Sequence, residues 1–413
     1  MLKECETVEF KTATDKLPWT IWETYSSFAN TKGGIIYLGV KEDMEGNPIY
    51  VGVSDVNKIL NELWTNLNNP KKVNYNLLKV NDVTVEKING NDIIKINIPK
   101  ASRDIKPVYI NNMMQGGTYI RQGDGDFKCN EYELSAMLRD KRAKSYDSEV
   151  LLDFSLNDLC QETIDNYRND FERNHPRSPW NRLNDEEFLL RVGALIKQLG
   201  KIYCTKAGLL MFGYEYSIKY EFPNYFMDYR ENMSGESRYD DRVDTASCEY
   251  TGNIYDFCYK ILYKLEQTLP VPFRMRDTKF RDTEPDSKYV IREAVINALT
   301  NADFYGKNNV IIKRSKDKLE ISNSGGFRVP ITSGISDSRN VTIMNMFRHV
   351  NLVERAGTGI QTIFNISKQY NWNVEYKEDF SPERVLLTIS GIDKYKYKLD
   401  EVKNTDTLKM YLE

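Results

Sequence analysis

Histidine is nearly absent from this chain: among 413 residues only His175 and His349 occur. The six cysteines, Cys5, Cys129, Cys160, Cys204, Cys248 and Cys258, never fall into a CxxC spacing. Both scarcities argue against a cysteine–histidine zinc site, and scattered thiols suit a reducing compartment. Charge of either sign is not in surplus, with 57 Lys and Arg against 60 Asp and Glu. The two signs are intermixed throughout, so no segment reads as a basic arm. Avid, sequence-blind duplex binding is therefore not expected, although a local groove can still be positive. No apolar run approaches transmembrane length, no signal-like stretch opens the sequence, and repeats and low-complexity tracts are missing. The expectation is a cytoplasmic protein with no membrane partner.

What is present is enough apolar material, 40% of residues, to fill the cores of two or three domains. Residues 1–145 read as one α/β unit. The segment 7–11 alternates like a strand, with Val8 and Phe10 facing one way and Glu9 and Lys11 the other. A helix follows, with Pro18 suited to its first turn and Ile21, Tyr25, Phe28 and Ala29 along one face. Gly33 and Gly34 end it, and 35–40 is an apolar run of the kind found in buried strands. Asp55 can cap a helix carrying Ile59, Leu63 and Leu67 inward. Asn89-Gly90 joins two strands as a hairpin. Trp19, Trp22 and Trp64 are expected in the core or in helix packing.

Residues 146–284 read as a helical connector without evident chemistry. A helix is expected over 185–199 and a polar loop over 230–251. A second α/β layer is expected over 285–392, followed by a polar tail at 393–413. In its first helix, expected over 289–301, Glu293, Asn297 and Asn301 are spaced by four and share one face. A carboxylate and an amide one turn apart can hold Mg²⁺, mostly through waters, and orient a water at a phosphate. Further on come Asn323-Ser324-Gly325-Gly326, Arg339-Asn340 and Gly357-Thr358-Gly359-Ile360. Glycines just before a helix let backbone N–H groups approach phosphate closely.

Taken in order, these four C-terminal segments resemble the GHKL ATPase domain in a divergent form. The resemblance implies that Glu293 orients water and Asn297 serves the metal. It places Asn323 and Gly325 near the adenine, Asn301 at the end of the first motif, and Gly357, Thr358 and Gly359 around the phosphates. Two residues depart from the pattern: Asn323 stands where the family carries aspartate, and Asn301 where a histidine is common. Binding survives such changes more readily than turnover does.

The N-terminal segments Glu4-Cys5-Glu6-Thr7-Val8-Glu9-Phe10-Lys11, Phe28 to Gly34 and Leu38-Gly39-Val40 resemble the Schlafen/AlbA-type domain, a nucleic-acid-associated module. In nuclease-active Schlafen proteins, acids at the positions of Glu4 and Glu9 contribute to a three-acid metal site, and Lys11 would stabilise developing charge. The family's third acid follows the Gly-Val pair. Here Lys41 stands there, with Glu42 and Asp43 one and two positions later, so the shift alters which strand face the acid occupies. The plainer reading makes Glu4 a solvated acid and Glu9–Lys11 a same-face ion pair. Arg121 is a candidate phosphate contact and Tyr119 a candidate base platform.

The expected fold class is therefore α/β (α+β). It has a Schlafen/AlbA-like mixed-sheet lobe, a helical connector and a GHKL-like α/β sandwich. The expected function is a nucleotide-gated nucleic-acid-binding protein, a transcriptional regulator or a phage-defence or stress component. ATP and Mg²⁺ or Mn²⁺ are the expected cofactors, and a homodimer the expected assembly. The alternative is a metal-dependent nuclease acting on tRNA, other RNA or DNA under control of the ATP-binding lobe.

Overall fold

A computed structural model describes residues 3–236, 238–247, 250–269, 286–331, 337–353, 359–380 and 382–392. Of the described residues, those up to 143 with 380 and 382 form one unit, and those from 144 to 379 with 383–392 form a second. The structure is α+β throughout, with mixed sheets in both units.

In the first unit the alternation at the start produces the strand Val8–Lys11, which pairs in parallel with Gly34–Leu38. The crossover between them is the helix Ile21–Asn30. Gly33 closes that helix in a left-handed conformation (φ +78°), with its N–H donating to Phe28 O at 2.8 Å. A side chain there would collide with the backbone of 98–100, so glycine is needed for space as well as for φ. The sheet continues through Asn91–Ile98 to Val83–Ile88, both antiparallel. These two strands are joined by Asn89-Gly90, both at positive φ, the hairpin turn that the dipeptide predicts. Asp55 caps Val56–Leu67 by accepting from Lys58 N–H at 3.0 Å. Ile59, Leu63 and Leu67 enter the core beside Ile21, Tyr25 and Phe28. Trp22 joins this core, whereas Trp19 does not.

The second unit is organised by a six-stranded sheet. Its order is Asp241–Asp244, Met227–Asn232, Val310–Ser315, Lys318–Ser324, Glu383–Ser390 and Asn373–Phe380. Two of these strands fall where a polar loop was expected over 230–251. Their polar residues read as a loop although two arginines, one on the same strand and one on the neighbouring edge strand, converge on a single acid. Arg230 and Arg242 both bind the fully buried Asp228, at 2.5 and 3.0 Å. The sheet also crosses the boundary expected at 284/285: Met227–Asn232, in the supposed connector, lies parallel to Val310–Ser315. One continuous core runs from Leu151 to Ile392. The helix expected over 185–199 stops at Val192, where Gly193 adopts the left-handed conformation, and the chain turns into the strand Leu195–Gln198.

The helix Asp286–Asn301 packs on Lys318–Ser324 and against the helices Ile254–Thr268 and Gly359–Gln369. A helix not anticipated from the sequence, Val341–His349, is capped from far away. Asp147 accepts from Ile343 N–H at 2.9 Å and from Thr342 Oγ1 at 3.0 Å, and Val341 N–H donates to Ser145 Oγ at 3.1 Å. Among the described residues no helix is long and apolar enough to cross a membrane.

Candidate functional site

In the second unit a cavity of about 450 Å³ opens between the helix Asp286–Asn301, the sheet and the start of the helix Gly359–Gln369. Its size falls within the range of small-molecule sites, about 300–1,000 Å³. Glu293, Asn297, Asn301, Asn323 and Gly359 all line it, so residues up to 66 positions apart in sequence share one wall. The i, i+4 spacing is what turns Glu293, Asn297 and Asn301 to the same side. Asn297 Nδ2 donates to Glu293 Oε1 at 3.3 Å. Gly359 packs against the Glu293 carboxylate so closely that a Cβ there would force the acid to move. The acid therefore stands directly at the N-terminus of the helix Gly359–Gln369, where backbone N–H groups and the helix dipole favour an anion.

Other expected residues have more structural duties. Asn301 donates through Nδ2 to Asn297 O at 2.9 Å and accepts from Arg339 N–H at 3.3 Å. Asn323 is buried and donates to Ser324 O at 3.1 Å. Gly325 does not reach the cavity wall. It takes a left-handed turn (φ +83°) whose missing side chain leaves room for the Arg339 guanidinium, and Gly326 lines the cavity in its place. Gly357 and Thr358 lie outside the described residues.

Sequence reasoning missed Tyr376, which reaches the cavity from the strand Asn373–Phe380. Burial, reinforced by the Glu293 charge, pushes its phenol far above the ordinary tyrosine value. The alternation of half-buried Val374, Tyr376 and Glu378 is the signal that could have found this face. Arg339 was noted only as part of a motif. It is buried and ties the cavity rim together, donating to Asn301 O and, at 3.2 Å, to Gly326 O.

The first unit gathers charges differently. Glu9 is buried between two cations: Lys11 Nζ at 2.5 Å and Arg121 NH2 at 2.7 Å. Arg121 also meets Asp126 at 3.0 Å and donates to Cys5 O at 3.0 Å. Asp126 in turn accepts from Thr24 Oγ1 at 2.6 Å and from Ser27 Oγ. Only 1% of the Arg121 side chain is exposed. It is therefore not the phosphate contact expected from its position near a strand end, because its charge is neutralised inside the fold. Tyr119 is also corrected. It is buried, packs in the core, and donates through its hydroxyl to Glu23 at 2.9 Å, so it offers no face to a base.

Of the acids proposed for a metal, Asp43 is turned into its own loop, whereas Glu42 is exposed at the end of the strand Val40–Glu42, near enough to Glu4 for its charge to act there. Glu4 is half-buried and accepts from Phe10 N–H at 2.7 Å. Burial raises its carboxyl above the usual range, and the Glu9 and Glu42 charges add to the rise. Asp43 is exposed and organises the 43–47 turn, accepting from Glu45 N–H at 2.8 Å and Asn47 N–H at 2.7 Å. Those bonds hold its carboxyl below the ordinary value. Among the described residues no three His, Cys, Asp or Glu side chains gather as metal ligands.

Residues 4–130 match the family described as "Schlafen, AlbA_2", and 307–385 match "Putative ATP-dependent DNA helicase recG C-terminal". This chain carries a Schlafen/AlbA_2 domain and a recG-type ATPase-like domain. Between them, 135–228 match a domain of unknown function (DUF8451). The match at 135–228 accounts for much of the expected connector, including Ser145 and Asp147. Among solved structures, the chain is 16% identical to the DIP2311 protein from Corynebacterium diphtheriae, with a TM-score of 0.45. That similarity covers 94% of this chain and 65% of the other, so the chain spans less than two thirds of its length. A second is the N-terminal domain of "Putative ATP-dependent DNA Helicase RecG-related Protein" from Nitrosomonas europaea, at 24% identity and a TM-score of 0.23. It covers 30% of this chain and 82% of that one. No curated protein matches.

Proposed function

We propose that this protein is a nucleotide-gated nucleic-acid-binding regulator. ATP enters the cavity of the second unit and changes how firmly the Schlafen/AlbA_2 domain retains nucleic acid. One observation carries the reading: Glu293 and Asn297 from one helix face, Asn323 from a strand end and Gly359 from a helix start, three separate segments, line a single cavity. The phosphates would lie at the start of the helix Gly359–Gln369, and the base toward Asn323. Asn297 and Glu293 would hold Mg²⁺ through water, which supplies charge neutralisation at the phosphates. Glu293 would orient the attacking water. A transcriptional or phage-defence setting and a nucleotide-dependent homodimer fit this domain combination by analogy.

The nuclease reading has less support, because Glu9 is already neutralised by Lys11 and Arg121 and Asp43 is engaged in a turn. The deciding experiment incubates the protein with labelled tRNA, single-stranded RNA, single-stranded DNA and duplex DNA, with Mg²⁺ or Mn²⁺, with and without ATP. Retention that changes with ATP supports the regulator. Cleavage abolished by Glu9→Ala would replace it with the nuclease. Glu293→Ala should lower any ATPase by about 10²-fold or more while nucleotide binding persists; undiminished ATPase would remove Glu293 from the role.

A further inference from the structure

The burial of Arg121 and Tyr119 leaves the Schlafen/AlbA_2 domain without the contacts its motif suggested, and another surface has the required chemistry. Trp19, expected in the core or in helix packing, is 57% exposed. It sits in the turn that starts the helix Ile21–Asn30: Ile21 N–H donates to Pro18 O at 3.1 Å and Trp22 N–H to Trp19 O at 3.4 Å. Trp22 points inward from that turn, leaving the Trp19 indole at the rim.

Over these rings lies Lys72, its ammonium 5.2 Å from the Trp19 ring and 5.7 Å from the Trp22 ring. The lysine is fixed by its backbone. Asn111 N–H donates to Lys72 O at 2.9 Å and Asn74 N–H to Tyr109 O at 3.1 Å, a short antiparallel pairing with Val73 and Ile110 buried. Alternation then turns Lys72 and Asn111 to the opposite side, where Lys72 Nζ meets Asn111 Oδ1 at 3.4 Å. No carboxylate lies within ion-pairing distance of Lys72 among the described residues. The acids nearest to Trp19 in sequence are occupied: Asp15 accepts from Ser54 Oγ and Glu23 from Tyr119. Lys16 and Lys71 add exposed positive charge beside Trp19 and Lys72 in sequence.

We propose that Trp19 and Lys72 form the contact by which the Schlafen/AlbA_2 domain holds an unpaired nucleotide of a single-stranded nucleic acid. The indole stacks on the base and the ammonium meets the adjacent phosphate. An exposed aromatic face offers stacking to any base, but only to one already out of a duplex. A lysine without an acidic partner is the matching element for the phosphate. The inference rests on the reading that this unit binds nucleic acid, and it assigns the surface and the strandedness.

The test measures fluorescence anisotropy of labelled single-stranded DNA, single-stranded RNA and duplex DNA of equal length, with the full chain and with Trp19→Ala, Trp19→Phe and Lys72→Gln. Trp19→Ala should weaken single-strand affinity about tenfold. Trp19→Phe should restore most of it, and the duplex arm should change little. Lys72→Gln should reduce the slope of log affinity against log salt by about 0.7, one phosphate contact. The DNA and RNA arms identify the sugar. Trp19→Ala is expected to melt like the native protein; if it does not, the salt slope of Lys72→Gln decides. Native binding left unchanged by Trp19→Ala and Lys72→Gln would overturn this surface while keeping the nucleic-acid reading. If the native chain retained no nucleic acid at all, both would fall.

Discussion

The two units each bury a glutamate beside polar partners and use it in opposite ways. Glu9 is clamped between Lys11 and Arg121, and Arg121 passes the remaining charge to Asp126. Glu293 has an amide one turn away and a cavity in front of it. A buried acid with two cations at hydrogen-bond distance has little charge left for a metal or a substrate, because both partners would have to be displaced first. An acid facing a cavity at a helix N-terminus has its field directed where a ligand enters. Motif membership alone therefore does not say what a buried acid does; for Glu9 the two cations do.

The strongest way to break this contrast is Arg121→Ala. It leaves Glu9 with Lys11 alone and Asp126 with hydroxyls alone. Removing one member of a buried ion network costs about 3–5 kcal/mol, which urea unfolding of the first unit should register. A variant of native stability that had lost nucleic-acid binding would instead make Arg121 a ligand contact. Next in size is Gly359→Trp, which fills the space in front of Glu293. A nucleotide at a hundred times its dissociation constant should stabilise the native second unit by about 2.7 kcal/mol. That increment should vanish in the variant, as read by the ATP-dependent shift in melting temperature. A shift that survived would move the nucleotide away from this helix.

The limits of the sequence follow the same line. The helix face of Glu293, Asn297 and Asn301 was legible because four-residue spacing fixes a common side regardless of tertiary context. The hairpin at Asn89-Gly90 was legible because the turn requires two positive φ values. The strands Met227–Asn232 and Asp241–Asp244 were not, since Arg242 reaches Asp228 only from the neighbouring strand, joining Arg230 of Asp228's own strand, and in sequence these charges resemble a solvated loop. Arg121 was misread for a similar reason: its partner Glu9 is 112 residues away. Trp19 was misread because residue type favours burial while its place in the turn, three residues before the inward-facing Trp22, decides the exposure.

Asp147 sharpens the comparison from inside the second unit, as a buried acid that shares the unit with Glu293 yet is not part of the wall of its cavity. It caps the helix Val341–His349, whose preceding residues Asp337 and Ser338 line the cavity in front of Glu293. Replacing it with alanine should cost about 1 kcal/mol, the usual loss of a helix cap. Burial raises its carboxyl above the ordinary value of 3.8, against the hydrogen bonds from Ser145, Ile343 and Thr342. The folded state therefore holds its proton more tightly than the unfolded chain does. This acid's contribution is greatest below pH 3.8 and is lost as pH rises through the folded value. Asp147→Asn should flatten that part of the pH–stability curve of the second unit while leaving nucleotide affinity near native. A loss of ATP binding equal to that of Gly359→Trp would show instead that the cap, and not the cavity wall, sets the site.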